Sequence, residues 1–385
     1  MLVFLNPHKN HFYGKVKQRI SSGEANVSKL KYFLNAFLKI KNSKYLIDKK
    51  KFPEHPFNFY ELFNLFFFTK RQFKEWEKLN DLKISRPIIT WNEVGYNDII
   101  ILNAKDLKYK NISQSLRYTK AKKILFLTNH FCHHPDLGKG VLSNFKGEIE
   151  LLSELPVRSK PVFKDYLPNK NRETIMGYAI SDRFFLKKNF LDRKKKALVI
   201  GSYSLGRKHN QIVNLYFKKN KLTGAQHYRY MIDKNVAPNS KVVDNFISER
   251  SRYISSRKNF IKKVYNYYNF NLNDRLNSYK LFICPPDSFD IKPQLMFEAM
   301  ACGSVVITNT DRTLEELNIY EGQHYVGFDF RNNLNQLNKF VENLLENEIE
   351  KLETIHINAL KLSKNFRFDN VVKNTVNFLK NIHSH

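Results

Sequence analysis

The sequence predicts an α/β protein of two domains, each built on a largely parallel sheet, with helices at the C-terminus. Three observations carry that reading. Short apolar, β-branched runs alternate with helical patterns along the chain, which is the signature of βαβ units rather than of hairpins. The 385 residues exceed a single domain at roughly 100–200 residues each. A charge run at residues 191–196 is followed at once by a new apolar strand, ALVI, at 197–200. The chain therefore divides into a first domain over 1–190, a second over 197–350, and helices over 351–385.

In the first domain, residues 2–6 read as a strand and residues 28–40 as a helix. Residues 57–76 place Phe59, Phe63, Phe66 and Phe67 on one helical face, followed by Lys70, Arg71 and Lys74. An aromatic face beside cations suits an anionic membrane surface. The competing reading is a core helix of the domain. Residues 88–90, 98–102 and 123–128 read as further strands. After the last of these comes NHFCHHPDLGKG, with His130, Cys132, His133 and His134 close together. Their spacing matches no standard zinc pattern. The stretch is a loop at the carboxyl end of a strand, where α/β sheets place ligands, and a histidine there can touch substrate or serve as a base. Residues 150–189 are mixed, with three prolines and many charges, and read as the end of the domain and the approach to a linker.

In the second domain the strand ALVI ends at Gly201. Gly201 and Gly206 make a loop before a helix starting near residue 210, with Arg207 and Lys208 at its beginning. Backbone N–H groups, the helix dipole and two cations converge there, which favours a phosphate. Residues 241–247 read as a strand and 251–268 as a basic, aromatic helix. Residues 279–309, YKLFICPPDSFDIKPQLMFEAMACGSVVITN, then form strand, loop, helix and strand in about thirty residues, the size of a βαβ unit. Two prolines stop the first strand. The loop carries the carboxylates Asp287 and Asp290. Pro293 fits the first turn of the helix, Gly303 fits its left-handed C-cap, and residues 304–308 form the second strand. Glu298 interrupts an otherwise apolar helix, and a carboxylate there is costly unless paired or ligand-bound. Residues 324–330 read as another strand and 334–385 as helical.

Composition bounds the partners. Apolar content of 42% and charged content of 26% are ordinary for a soluble globular protein. The three cysteines are odd in number and widely spaced, which fits a reducing cytosol better than a disulfide framework. The N-terminal apolar run is too short for a signal peptide, and no run reaches about 18 apolar residues. A net charge of +29 favours polyanions, namely nucleic acid, anionic lipid or phosphate-bearing substrates. Lysine-rich composition spread over solvated faces would give the same total. No arginine-rich block or nucleic-acid motif concentrates the charge. A non-enzymatic protein holding nucleic acid or an acidic glycan is the competing functional class, and it would need stacking platforms that the sequence lacks.

The segment FEAMACGSVVITN resembles the donor-binding signature of GT-B glycosyltransferases of the group 1, family 4-like kind, and the resemblance extends over about 197–330. It implies two Rossmann-like domains facing a cleft, with the terminal helices bracing the first. By this resemblance Glu298 accepts hydrogen bonds from the ribose hydroxyls of a nucleotide-sugar donor, UDP- or GDP-linked. Asp290, eight residues earlier, stands where the family carries a second acid facing the transferred sugar, with Asp287 as the alternative. The backbone N–H groups of Ile291 and Lys292 meet the donor. Gly201 with Arg207 or Lys208 holds the diphosphate, and His130 lies near acceptor and sugar. The resemblance implies transfer to a glycan or lipid-linked acceptor, with retention and with no metal or other cofactor. The cysteine usage places the protein in the cytoplasm, and its basic charge with the aromatic stretch 57–76 would let it rest on the inner face of the membrane.

Overall fold

The computed structural model describes residues 1–5, 31–46, 87–103, 110–128, 145–157, 172–203, 225–249, 271–286 and 291–382. Two sheets organise them. The first runs β1 (Leu2–Leu5), β2 (Ser43–Leu46), β3 (Ile88–Ile89), β4 (Ile99–Asn103), β5 (Lys123–Thr128), β6 (Glu148–Ser153) and β7 (Arg172–Ile175), in the spatial order β3-β2-β1-β4-β5-β6-β7. The second runs β8 (Lys194–Tyr203), β9 (Val243–Glu249), β10 (Tyr279–Ile283), β11 (Val305–Thr308) and β12 (Val326–Gly327), in the order β12-β11-β10-β8-β9. Every pairing in both sheets is parallel. Parallel strands need crossovers, and among the described residues helices serve several of them: α1 (Lys31–Leu38) and α2 (Lys110–Tyr118) in the first half, α3 (Ala225–Met231), α4 (Leu272–Ser278) and α5 (Gln294–Ala301) in the second. The chain closes with α6 (Leu337–Asn347), α7 (Ile349–Ser363) and α8 (Phe368–Asn381).

The strands read as unbroken apolar runs because both faces are covered. In the second sheet Leu281, Ile283, Val305 and Ile307 point to one face and pack with Leu337, Val341 and Leu344 of α6. Phe282 and Val306 point to the other and pack with Met296, Phe297 and Met300 of α5. Each such side chain stabilises the fold by roughly 1.5–3 kcal/mol when fully buried. In the first sheet Leu2, Phe4, Ile99 and Ile101 pack with Phe33 and Phe37 of α1 and with Val371, Val372 and Leu379 of α8. The last helix thus returns to the first sheet.

Two segments cross between the halves. Residues 176–193 lead outward and 364–368 lead back, and they are stitched where Ile180 N donates to Phe366 O at 2.8 Å and Phe368 N to Ile180 O at 3.1 Å. The ring of Phe297 lies edge-on between Tyr178 (centroids 5.2 Å apart) and Phe366 (5.0 Å). Helix α5 therefore leans on both crossings. Among the described residues no helix is long and apolar enough to cross a membrane.

The structure departs from the sequence reading in four places. Residues 148–153 and 172–175 are two further strands of the first sheet rather than the approach to a linker. Strand β6 carries a buried carboxylate, Glu150, answered by Lys123 of β5 at 3.7 Å; β7 ends the sheet, where a half-exposed RETI suffices. The charge run at 191–196 already contains the start of β8, and Arg193 is buried. Of residues 324–330 only Val326 and Gly327 pair as a strand, while Phe328 and Phe330 turn into the core. Pro293 caps α5 in extended geometry (φ −73°, ψ 153°) instead of occupying its first turn. The aromatic stretch 57–76 and the helices expected near 210 and at 251–268 lie outside the described residues.

Candidate functional site

Because all its strands are parallel, the second sheet gathers their carboxyl ends along one edge. The chain passes from β8 to β9 on one side, then to β10 on the other. The switch point, at whose crevice open α/β sheets take ligands, therefore falls at the carboxyl ends of β8 and β10.

Gly201 lies near the end of β8 with φ +154°. A Cβ on Gly201 would come within 2.7 Å of Arg229 Nε and 2.8 Å of its Cδ, so the guanidinium of α3 crosses the bare backbone there. Only glycine allows that approach. Arg229 is thus the cation brought to Gly201 among the described residues; Arg207 and Lys208 lie outside them.

On the other side of the crevice, β10 runs into Cys284, Pro285 and Pro286, and the chain is described again from Ile291. Asp287 and Asp290 fall in the gap. Ile291 is anchored by its side chain in the core at 2% exposure. Lys292 is fully buried, and its Nζ lies 3.9 Å from Asp311 Oδ2, in the turn after β11. Asp311 caps that turn by accepting from Thr313 N (3.1 Å) and Thr313 Oγ1 (2.6 Å), and its own N–H donates to Tyr325 Oη at 3.2 Å. At the same strand end, the buried Thr308 Oγ1 and Asn309 Oδ1 have no hydrogen-bond partner among the described residues.

Glu298 is half-buried on α5, between buried Phe297 and Ala299. Burial, and then the charge of Glu298, push the Cys302 thiol up to about 12. Cys302 is therefore a neutral thiol that donates to Asn273 Oδ1 at 3.0 Å, a packing group and not a nucleophile. The edges of the two sheets also feel each other. Burial raises the Glu316 carboxyl, and the charges of Glu173 on β7 and of Asp311 add to that. Glu173 in turn accepts from Ser153 Oγ and from Val157 N (3.1 Å), so the carboxyl end of the first sheet carries an acid facing the turn after β11.

Of the eight residues singled out by sequence, the structure describes Gly201 on β8, Ile291 and Lys292 just before α5, and Glu298 on α5. Asp290, His130, Arg207 and Lys208 lie outside the described residues. Sequence reasoning missed Arg229 and Asp311. Arg229 sits in HYRYM, where nothing in the pattern separates one arginine from a solvated neighbour. Asp311 follows β11 in NTDRT, and its Asp-x-Thr spacing was a legible capping signal. Among the described residues no group of three or more His, Cys, Asp or Glu side chains could hold a metal ion.

No protein-family model matches the sequence, and no curated protein matches it either. Solved structures do match in shape. The HepE protein of Anabaena, solved with UDP-glucose, superposes with a TM-score of 0.55 at 11% identity, covering 99% of this chain and 99% of that one. HepE solved with UDP and glucose gives 0.53 at 12% identity over 98% and 99%. The pneumococcal O-GlcNAc transferase GtfA, solved with UDP and GlcNAc, gives 0.41 at 12% identity; 74% of this chain matches, spanning 57% of GtfA. At such identities shape is what is shared. Two all-parallel sheets, a crossing pair of segments between them, a terminal helix returned to the first sheet and a match to HepE along almost the whole length establish that this chain has the two-domain, Rossmann-like GT-B fold.

Proposed function

We propose that the protein is a retaining, metal-independent glycosyltransferase that moves a sugar from a nucleotide-sugar donor to an acceptor hydroxyl in cell-surface polysaccharide or glycolipid synthesis. The observations that carry this reading are the half-buried Glu298 on α5, which follows β10, and Arg229 against Gly201 on the neighbouring strand β8. A lone carboxylate on an otherwise apolar helix fits a ribose diol, and a cation against a glycine at a strand end fits the diphosphate beside it. HepE, matched along its length, was solved with UDP-glucose, which favours a UDP-linked donor over a GDP-linked one.

In this reading residues 197–350 hold the donor, 1–190 face the acceptor and 351–385 brace the two. Glu298 accepts from the ribose hydroxyls, and the backbone of Ile291 and Lys292 meets the donor. Gly201 lets the chain approach the diphosphate, with Arg207, Lys208 and the neighbouring Arg229 supplying positive charge. Asp290 faces the transferred sugar, and His130 the acceptor. The bond between anomeric carbon and diphosphate oxygen breaks, the bond to the acceptor oxygen forms, and the acceptor's proton passes to the departing diphosphate. Cations fixed in place stabilise the charge that develops on the leaving group. The protein works at the inner face of the membrane on a glycan or lipid-linked acceptor.

A thermal-shift series with UDP-, GDP-, CMP- and dTDP-sugars tests this directly. A donor bound only by the native state raises stability by about 2.7 kcal/mol at a hundred times its Kd. UDP-glucose is expected to raise the melting temperature. A series in which no nucleotide sugar moves it overturns the reading.

A further inference from the structure

We propose that the outward crossing between the two sheets carries a docking surface for an anionic membrane, formed by Phe185, Leu186 and Leu191 with Lys188 and Lys195. The three apolar side chains are 46%, 41% and 62% exposed. The same stretch buries Phe184 and Phe190 at 1% and 3%, so the chain separates inward from outward aromatics.

The outward residues stand on a backbone held from beneath by buried polar groups. Lys187 N donates to Asn277 Oδ1 at 2.7 Å, and Asn277 Nδ2 donates to Phe185 O at 3.0 Å. Arg193 donates to Lys188 O at 2.8 Å, and Lys280 Nζ to the carbonyls of Phe190 (2.6 Å) and Leu191 (3.1 Å). Asn277, Arg193 and Lys280 are all buried. The outline is therefore built, not frayed. Leu186 and Phe190, four residues apart in this stretch, both pack about His356. A Cβ on Gly303 would meet Leu186 Cδ1 at 2.8 Å and His356 Cε1 at 2.7 Å, and the Phe190 ring, next in chain to Leu191, stacks on His356 with centroids 4.9 Å apart.

Charge selects the occupant. Residues 181–196 hold seven basic side chains against Asp182 and Asp192. Arg193 is buried, Lys187 is paired with Asp274 at 2.6 Å and Lys196 with Asp244 at 2.8 Å. Lys194 Nζ turns to Tyr279 Oη at 3.4 Å, and Arg183, Lys188 and Lys195 remain exposed. Apolar side chains interleaved with lysines suit the headgroup boundary of an anionic bilayer, where the chains insert and the ammonium groups meet lipid phosphates. A stable protein interface would keep charge out of its core.

This deepens the membrane part of the proposed function and rests on that part, not on sugar transfer. The test is co-sedimentation of the full chain with vesicles of phosphatidylglycerol and phosphatidylcholine in equal parts, and with phosphatidylcholine alone. Parallel melting curves with UDP-glucose report donor binding separately. The wild type is expected to bind the anionic vesicles only, less so at high salt. Two variants, Phe185→Ser/Leu191→Ser and Lys188→Glu/Lys195→Glu, are each expected to bind about tenfold more weakly while keeping the donor-induced shift. The proposal is overturned if the wild type ignores anionic vesicles, if both variants bind like wild type, or if a Phe63→Ser/Phe66→Ser/Phe67→Ser variant alone abolishes binding. A wild-type dimer that these variants dissociate, with no lipid binding, also overturns it and gives the surface to a second copy.

Discussion

The ammonium of Lys292, fully buried, faces the Asp311 carboxylate at 3.9 Å and ties the approach to α5 to the turn after β11. Two loops at the carboxyl edge of the second sheet are thereby held in register by opposite charges taken out of water. Removing one partner takes its opposite charge from the other in a buried setting, which costs about 3–5 kcal/mol. Lys292→Met and Asp311→Leu are each expected to lose about that much in urea denaturation. The double variant should lose clearly less than the sum, and simple additivity would show that the pair is not coupled.

Gly201→Ala probes the opposite wall. The new methyl would lie within 2.7 Å of Arg229 Nε, so the flexible arginine moves and the backbone takes on strain of about 1–3 kcal/mol. The expected outcome is a folded protein whose Kd for UDP-glucose rises by about tenfold, equivalent to about 1.4 kcal/mol. Titration calorimetry on the variant checks this, and unchanged affinity would remove Arg229 from the donor site.

His356 predicts a pH dependence far from the crevice. Its Nδ1 lies 2.7 Å from the Gly303 carbonyl oxygen, which can only accept, so that nitrogen carries the proton. Burial holds the ring below its ordinary 6.5. The Gly303 bond opposes that, as does the Glu353 charge, while Arg193 and Lys280 reinforce it. A depressed folded value means the fold favours the neutral ring. The stability it contributes is present above pH 6.5 and lost as pH falls through the folded value. Denaturation midpoints measured down through this range should fall more steeply for wild type than for His356→Gln.

Much of this architecture was legible because burial on both faces leaves a strand no polar choice. KILFLT, ALVI and VVIT announce themselves in that way, and their order gave the α/β class. Strand β6 was hidden because Glu150 breaks its run, and the lysine that answers it lies on another strand. Strand β7 was hidden because an end strand needs no apolar face. Glu298 stood out as a charge in an apolar helix, and Gly303 as a C-cap, since both are local signals. The approach of Arg229 to Gly201 and the pairing of Lys292 with Asp311 join residues 28 and 19 positions apart through tertiary packing, which local periodicity does not encode. Tyr178, Phe297 and Phe366 look like ordinary core aromatics until the two crossings bring them together.

Binding and turnover of UDP-glucose by wild type and Glu298→Gln test the central claim most directly. A carboxylate holding the ribose hydroxyls makes charge-assisted hydrogen bonds worth about 1.5–3 kcal/mol. The variant, with its fold intact by circular dichroism, should therefore bind UDP-glucose roughly ten- to a hundredfold more weakly and transfer sugar correspondingly slowly at subsaturating donor. Wild-type affinity and wild-type turnover in Glu298→Gln would contradict the account.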